Sequence, residues 1–538
     1  MSENSKHRVV IVGGGFGGVF TAKHLRRLAG SGVHIELISR NNFFVFQPLL
    51  PEVAGGNIHP ADAVSPLRLF LPGVCVRVAD ARKIDLLTKT VHVTVGRDRE
   101  ITAIPYDHLV IALGQVVDLS RTPGLADRAL VMKDVVDAFQ IRNQLLGCLE
   151  DADSTPDPRR RRRLLTFVVI GGGFTGVETL GEMQELLRKS LRYYPSVRPD
   201  EVRIVLIQHG SRILPELPEH LAAYASAALR RRGVEIMLST GVKAVTNNGI
   251  ETDGGLILDA ETIVAAIGNA PSPLMRTVAL PLDHGRIVVD RCLRVRGMDD
   301  VWALGDNAHI PLGDPNDTNT AYAPPLAQFA VREAKVLAGN IVASFDGRAL
   351  ATFEYRAVGA IASLGGRSGV ADIRGVRVSG FFAWVAWRLL YLGFLPGLST
   401  RIRVAVDWAL DLFISRSIVE IRPARSTSRS LRLLRGDLVI EPGIEPAGVY
   451  VVISGSFERT TSAPGEQGAS VHTCRLAPGE CFGLSLDGTP PPVPEWVRAC
   501  EDSMAYVIDK SDLKHLAMVS ALVEKRGQAI VNKQPERA

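Results

Sequence analysis

Three glycines recur at one spacing in two places. They are Gly13, Gly15 and Gly18 in "VVIVGGGFGGVFTAKHL", and Gly171, Gly173 and Gly176 in "FVVIGGGFTGVETLGEM". Each set follows an apolar strand-like run and opens a helix-like one, the context that gives G-x-G-x-x-G its meaning. The first glycine permits a tight turn, the second lets backbone amides approach a pyrophosphate, and the third lets helix and strand pack closely. The helix N-terminus then offers N–H donors and partial positive charge to phosphate. Two such loops predict two dinucleotides, one held and one exchanged, for which a flavin and a nicotinamide are the usual pair. In "VWALGDNA", Gly305 and Asp306 follow a strand, where an aspartate accepts hydrogen bonds from a flavin's ribityl chain or lies by its pyrophosphate. The order along the chain is flavin loop, nicotinamide loop, flavin return.

The elements that must position these residues are legible around them. Residues 8 to 45 read as strand, turn, helix, strand, a βαβ opening. Near the end of the second strand of such a unit an acid normally binds both ribose hydroxyls and repels a 2′-phosphate. Here Gln208 stands there in the second unit and Ser39 in the first. A neutral amide removes the repulsion, so NADPH is admissible beside NADH, with His209 or Arg212 as sources of positive charge. The 538 residues imply three to four domains. A net charge of +5 is too dilute to indicate nucleic acid. The six cysteines are scattered, with no C-x-x-C pair and no metal-ligand spacing, which points to a reducing, cytosolic setting and argues against a disulfide reductase. The short polar lead before the first strand leaves no room for a signal peptide. "EDADSTPDPRRRRRLL" reads as a loop at a domain boundary, with Arg159 to Arg163 a solvated linker.

With "NNFFVFQPLLPEVAGG", "YDHLVIALG" and "PPLAQFAVREAKVLAGNI" added to the two glycine loops and "VWALGDNA", residues 7 to 420 resemble the type II NADH dehydrogenases, flavoproteins that oxidise NADH and reduce quinone at a membrane surface. The resemblance implies FAD at Gly13, Gly15, Gly17, Gly18, Ser39, Arg40, Gly114, Asp306 and Ala327. It implies NADH or NADPH at Gly171, Gly173, Gly176, Gln208 and Gly268. Glu178 matches a family glutamate near the meeting point of nicotinamide and flavin. Gln328 matches the first of two glutamines, four apart on a helix, that line the acceptor tunnel; Arg332 stands at the second place, where it could pair with Glu333 or narrow the tunnel. Sulfide:quinone oxidoreductases use cysteines, and neither Cys148 nor Cys292 sits in a matching motif.

Between Phe381 and Arg416 lie three of the five tryptophans, mixed with arginines and broken by Pro396 and Gly397. Phe381, Trp384, Trp387, Arg388, Tyr391 and Trp408 on broken amphipathic helices suit the membrane interface, through residues 381–414. A dimer or domain interface is the competing use. Residues 425–538 resemble a cyclic-nucleotide-binding β-roll, but Leu484 follows the "FG" turn where an acid would hold ribose. The phosphate-binding arginine is replaced within "GTPPPVPEW", so cyclic-nucleotide binding is expected to be lost.

The fold class expected is α/β: two Rossmann-type dinucleotide-binding domains of a two-dinucleotide-binding flavoprotein, amphipathic membrane-interface helices and a C-terminal β-roll. The expected divisions are 1–125 and 281–345 for the FAD-binding domain, 126–163 for a connecting helix and linker, 164–280 for the NAD(P)H-binding domain, 346–421 for the membrane-interface region and 425–538 for the β-roll. The function expected is peripheral NAD(P)H:quinone oxidoreduction through FAD on the cytoplasmic side of the cell membrane, without proton pumping, a homodimer being admissible. The rival readings are a soluble diaphorase or ferredoxin-type reductase, and a flavin-based redox sensor with the β-roll as its output.

Overall fold

The strand His7–Val12 is buried from Val9 onward because it runs inside a parallel sheet, which explains its unbroken apolar sequence. In this computed structural model, which describes residues 7–513 apart from 97–99, 247–248, 315–319, 422–428, 442–445, 464–469, 486–489, 491–494 and 511, that sheet has seven strands. Their order is Val301–Ala303, His108–Ile111, His7–Val12, Val33–Ser39, Cys75–Asp85, Thr90–Val95 and Glu100–Pro105. The first five are parallel and the last two form an antiparallel edge. Its first strand arrives only after the chain has built a second sheet, all parallel: Leu130–Val131, Thr262–Ala265, Thr166–Ile170, Arg203–Ile207 and Val234–Met237.

The two glycine loops are built alike. Gly13 N–H donates to Ile38 O at 2.9 Å and Gly171 N–H to Ile207 O at 2.8 Å. Both glycines have positive φ, 121° and 108°. A Cβ on Gly18 would lie 1.9 Å from Gly13 O, and one on Gly176 would lie 1.9 Å from Gly171 O. The third glycine of each motif is therefore required by backbone contact.

From the second loop the helix Phe174–Ser190 runs through the middle of the molecule, buried at every position from Gly176 to Leu187. It passes beneath an antiparallel sheet, Gly359–Gly365, Ser368–Ile373 and Val376–Gly380. A Cβ on Gly181 would stand 2.3 Å from Leu364 O. Two further helices follow this sheet, Phe381–Phe394 and Leu398–Leu410, separated at Pro396 and Gly397. Among the described residues no helix is long and apolar enough to cross a membrane.

Two expectations are corrected here. The arginine run is a helix, Pro158–Leu164, with Asp157 as its N-cap and proline in its first turn. Arg163 is buried 3.1 Å from Glu261, and Arg161 binds Glu201 at 3.0 Å. The run is thus only partly solvated. In the helical hairpin, Trp384, Trp387 and Trp408 are buried, with Arg388 held between two of their rings at 4.1 and 4.8 Å. The outward face carries Phe382, Leu389, Phe394, Leu398, Ile402 and Phe413 instead. Trp387 and Trp408 turn inward and donate their indole N–H to the buried Glu178 and Glu52, whereas Phe, Leu and Ile have no such donor to offer.

The C-terminal region holds two four-stranded antiparallel sheets. Tyr450 stacks on Phe482 at 5.0 Å, and Leu484 packs with Val449 and Leu513. Most of "GTPPPVPEW" lies outside the described residues.

Replacing Gly181 by alanine is expected to lower stability by about 1–3 kcal/mol or more, because carbonyl backbone blocks the methyl group. A thermal midpoint unchanged from the parent protein in Gly181→Ala would contradict this close approach.

Candidate functional site

One continuous cavity of about 1320 Å³ is lined by residues of both sheets and of the hairpin. A small-molecule pocket usually measures roughly 300–1,000 Å³, so this space suits more than one ligand. Its wall includes Gly13, Gly15 and Gly17 of the first loop, Ser39 and Arg40 at the end of the second strand, and Gly114, Asp306 and Ala327. Gly18 packs behind this wall against Gly13. Phe174, Thr175 and Glu178 reach the same cavity from the second unit's helix, as do Ala265, Ala266, Ile267 and Asn269 from beside its sheet. Gly171, Gly173, Gly176, Gln208 and Gly268 stand outside the wall.

The residues present fit an elongated dinucleotide. A Cβ placed on Gly15 or Gly114 would meet nothing within 4 Å, so both glycines border open space. Asp306 is largely buried, and burial raises its carboxyl above the usual range while Lys133 and Arg286 oppose that rise. Sequence reasoning missed two supports of this segment. Asn307 accepts from Gly114 N–H at 3.0 Å and donates to Ile111 O at 3.1 Å, tying the returning strand to its neighbour. Glu333 accepts from Gly305 N–H at 2.7 Å and is pushed up to about 7 by burial. The asparagine follows Gly305 and Asp306 directly in the sequence, which was the available signal.

Glu178 has both a structural and a cavity-facing environment. Its Oε1 accepts from Ser363 N–H and from the Trp387 indole N–H, each at 2.9 Å. Burial still pushes its carboxyl up to about 8, with Glu52 and Glu182 adding to the rise. A carboxyl at that value holds a proton at neutral pH.

Gln328 and Arg332 share one face of the helix Ala327–Phe345, as a four-residue spacing requires, and both line the cavity. Gln328 Oε1 accepts from the Tyr355 hydroxyl at 3.1 Å, and its Nε2 donates to Gly359 O at 3.3 Å. The Arg332 guanidinium lies over the Tyr355 ring at 4.5 Å and donates to Gln328 O. Of the uses open to Arg332, the pairing with Glu333 is not made, since Glu333 turns into the core and accepts from Gly305 N–H.

In the second loop, Gln208 Oε1 accepts from Gly172 N–H at 2.8 Å, so the amide's donor end remains for other work. Arg212 donates to Pro215 O, and His209 lies beside Gly241. Cys148 is buried near Gln144 and Thr262, while Cys292 is half-buried; neither lines the cavity.

Two dinucleotide-type sheets opening on one cavity define a pyridine-nucleotide oxidoreductase fold. Residues 7–334 match the model of the pyridine nucleotide-disulphide oxidoreductases, residues 358–417 that of the NDH2 C-terminal domain, and residues 430–520 that of the cyclic nucleotide-binding domain. Two Mycobacterium tuberculosis proteins, the type II NADH:quinone oxidoreductases NdhA and Ndh, are 33% and 34% identical to this chain. The matches cover 77% and 76% of it and 88% and 89% of those proteins. The chain therefore belongs to the type II NADH dehydrogenase family of oxidoreductases. The fold is also that of NDH2 from Plasmodium falciparum in complex with NADH, with a TM-score of 0.71 at 21% identity over 77% of this chain and 100% of the other.

Because folding raises the Glu178 carboxyl above its ordinary value, its contribution to stability is fully present below pH ~4.5 and is lost as pH rises through about 8. Glu178→Gln keeps an acceptor for Ser363 and Trp387 without a charge. It is expected to match the parent protein's thermal midpoint at pH 5 and exceed it at pH 9, by roughly 2–4 kcal/mol of stability. Equal midpoints at both pH values would refute the buried, raised carboxyl.

Proposed function

We propose that this protein oxidises NADH, and NADPH as a second donor, through bound FAD, and reduces a quinone at a membrane surface without proton pumping. The observation that carries the reading is the shared cavity: the first glycine loop, Asp306, Glu178 and the pair Gln328 and Arg332 all line it. A bound flavin supplies the chemistry of accepting hydride and passing electrons on. The chain's own residues hold and orient. Gly13 to Gly18 and Asp306 would hold the pyrophosphate and ribityl of FAD, with Ser39 and Arg40 near its ribose. Glu178, protonated at neutral pH, would stand where nicotinamide meets flavin and hold a proton at its carboxyl. Gln328 and Arg332 would orient the acceptor, with Tyr355 bracing both.

The relatives' names support NADH and quinone as substrates. Gln208 supports the wider donor choice, because its carbonyl is engaged by Gly172 and its amide N–H, without a partner among the described residues, can donate to a ribose or phosphate oxygen without repelling charge. The outward apolar face of the hairpin supports peripheral attachment to a membrane surface, which this reading puts on the cytoplasmic side. Homodimerisation is compatible with this arrangement.

Purified protein given NADH or NADPH with a ubiquinone or menaquinone analogue should show flavin reduction by both donors, with kcat/KM values within ~100-fold of each other. Gln208→Glu should favour NADH by a further tenfold or so, by restoring repulsion of the 2′-phosphate. Failure of either nicotinamide to reduce the flavin would overturn the whole reading, and a larger preference for NADH in the parent protein would overturn the role given to Gln208.

Phe382→Ser combined with Phe413→Ser should reduce co-sedimentation with lipid vesicles by roughly tenfold, from the loss of two exposed aromatic side chains that would enter the lipid. Undiminished co-sedimentation would remove the hairpin from the membrane contact.

A further inference from the structure

Three carboxylates, Glu52, Glu178 and Glu182, are buried beside the cavity, and each takes a partner from the segment 381–416. Glu52 accepts from the Trp408 indole N–H and lies 3.6 Å from Arg388. Glu182 binds Arg416 at 3.0 Å. Glu178 takes Trp387, whose ring is almost fully buried and meets Tyr391 edge-on at 4.7 Å. Of the three, only Glu178 also lines the cavity. Its two donors, one from the strand Gly359–Gly365 and one from the helix Phe381–Phe394, converge on Oε1 and leave Oε2 to carry the carboxyl proton.

We propose that Trp387 is a positioning residue for the oxidoreduction, its indole N–H holding the Glu178 carboxyl with Oε1 toward the protein and Oε2 toward the cavity. This rests on the reading that nicotinamide meets flavin beside Glu178. A backbone donor alone would leave the carboxyl free to rotate about that one bond, whereas two donors from different elements fix its plane. The charged and titratable groups facing Glu178 are Glu52 on the helix Leu50–Ala54, Glu182 one turn along its own helix, and Tyr391 on the hairpin. Arg388 and Arg416 are engaged by Glu52 and Glu182. No cation is paired directly with Glu178 among the described residues, so its orientation depends on the two hydrogen bonds.

Trp387→Phe retains an aromatic ring and removes the donor. In flavin-loaded protein, kcat for quinone reduction is expected to fall roughly tenfold while the KM for NADH stays within about twofold. The alkaline limb of the kcat profile should move up by about half a pH unit or more, because the lost bond favoured the ionised carboxylate. A direct readout does not need turnover. With Trp408→Phe as background, to silence the indole paired with Glu52, tryptophan emission should change with a midpoint near pH 8, and this change should be absent when Trp387→Phe or Glu178→Gln is added. Unaltered kcat and pH limb in Trp387→Phe, or an emission change that survives in Glu178→Gln, overturns the proposal. If neither nicotinamide reduces the parent protein, the proposed function fails, while the emission titration still decides whether Trp387 and Glu178 are paired.

Discussion

Burial of acids on a central helix is the constraint around which this molecule is arranged. The helix Phe174–Ser190 carries Glu178, Glu182 and Glu185 at buried positions, and Glu52 faces it from a neighbouring helix. Removing one partner from a buried charged pair typically costs about 3–5 kcal/mol, so these acids oblige some other segment to supply donors. Ser363, Arg188 and Lys189 supply some of them, and the C-terminal hairpin with the residues just after it supplies the rest. The hairpin is consequently two-faced in an unusual sense. Its inner face presents indole and guanidinium donors, and its outer face presents plain hydrocarbon.

That arrangement explains what could and could not be read from sequence. The glycine loops were legible because their residue types answer to steric demands within a few residues of chain: Gly18 meets Gly13, and Gly176 meets Gly171. The returning segment at Gly305 and Asp306 was legible for the same local reason. The direction of the tryptophans was not, since an indole has both an apolar body and a donor and suits either a bilayer edge or a buried acid. Which use applies was decided by Glu178 and Glu52, far away in the sequence. The arginine run misled because its partners, Glu201 and Glu261, belong to other elements. Gln328 and Arg332 were correctly placed on one helix face by their spacing, but nothing in the spacing revealed Tyr355 beneath them.

The two glycine loops are built alike but are closed by different side chains at the end of the second strand. In the first, a Cβ on Gly14 would stand 2.2 Å from the Ser39 hydroxyl, so this short side chain already fills the space beside the loop. In the second, the longer Gln208 crosses the corresponding gap and bonds to Gly172 N–H. A side chain used to fasten its own loop is restricted in how it can meet a ligand. The donor end of Gln208 is therefore presented by the loop's construction.

The discontinuity of the seven-stranded sheet also fixes an order of assembly. His108–Ile111 lacks one neighbour until Val301–Ala303 has been made, and the helix Phe16–Ala29 lacks a packing partner until Ala327–Phe345 has been made. The second sheet closes earlier, when Thr262–Ala265 enters between Leu130–Val131 and Thr166–Ile170. During synthesis from the N-terminus, the first of the two dinucleotide-type sheets to be begun is the second to be finished. A growing chain halted before residue 301 would expose an unpaired apolar strand edge, a recognised route to aggregation.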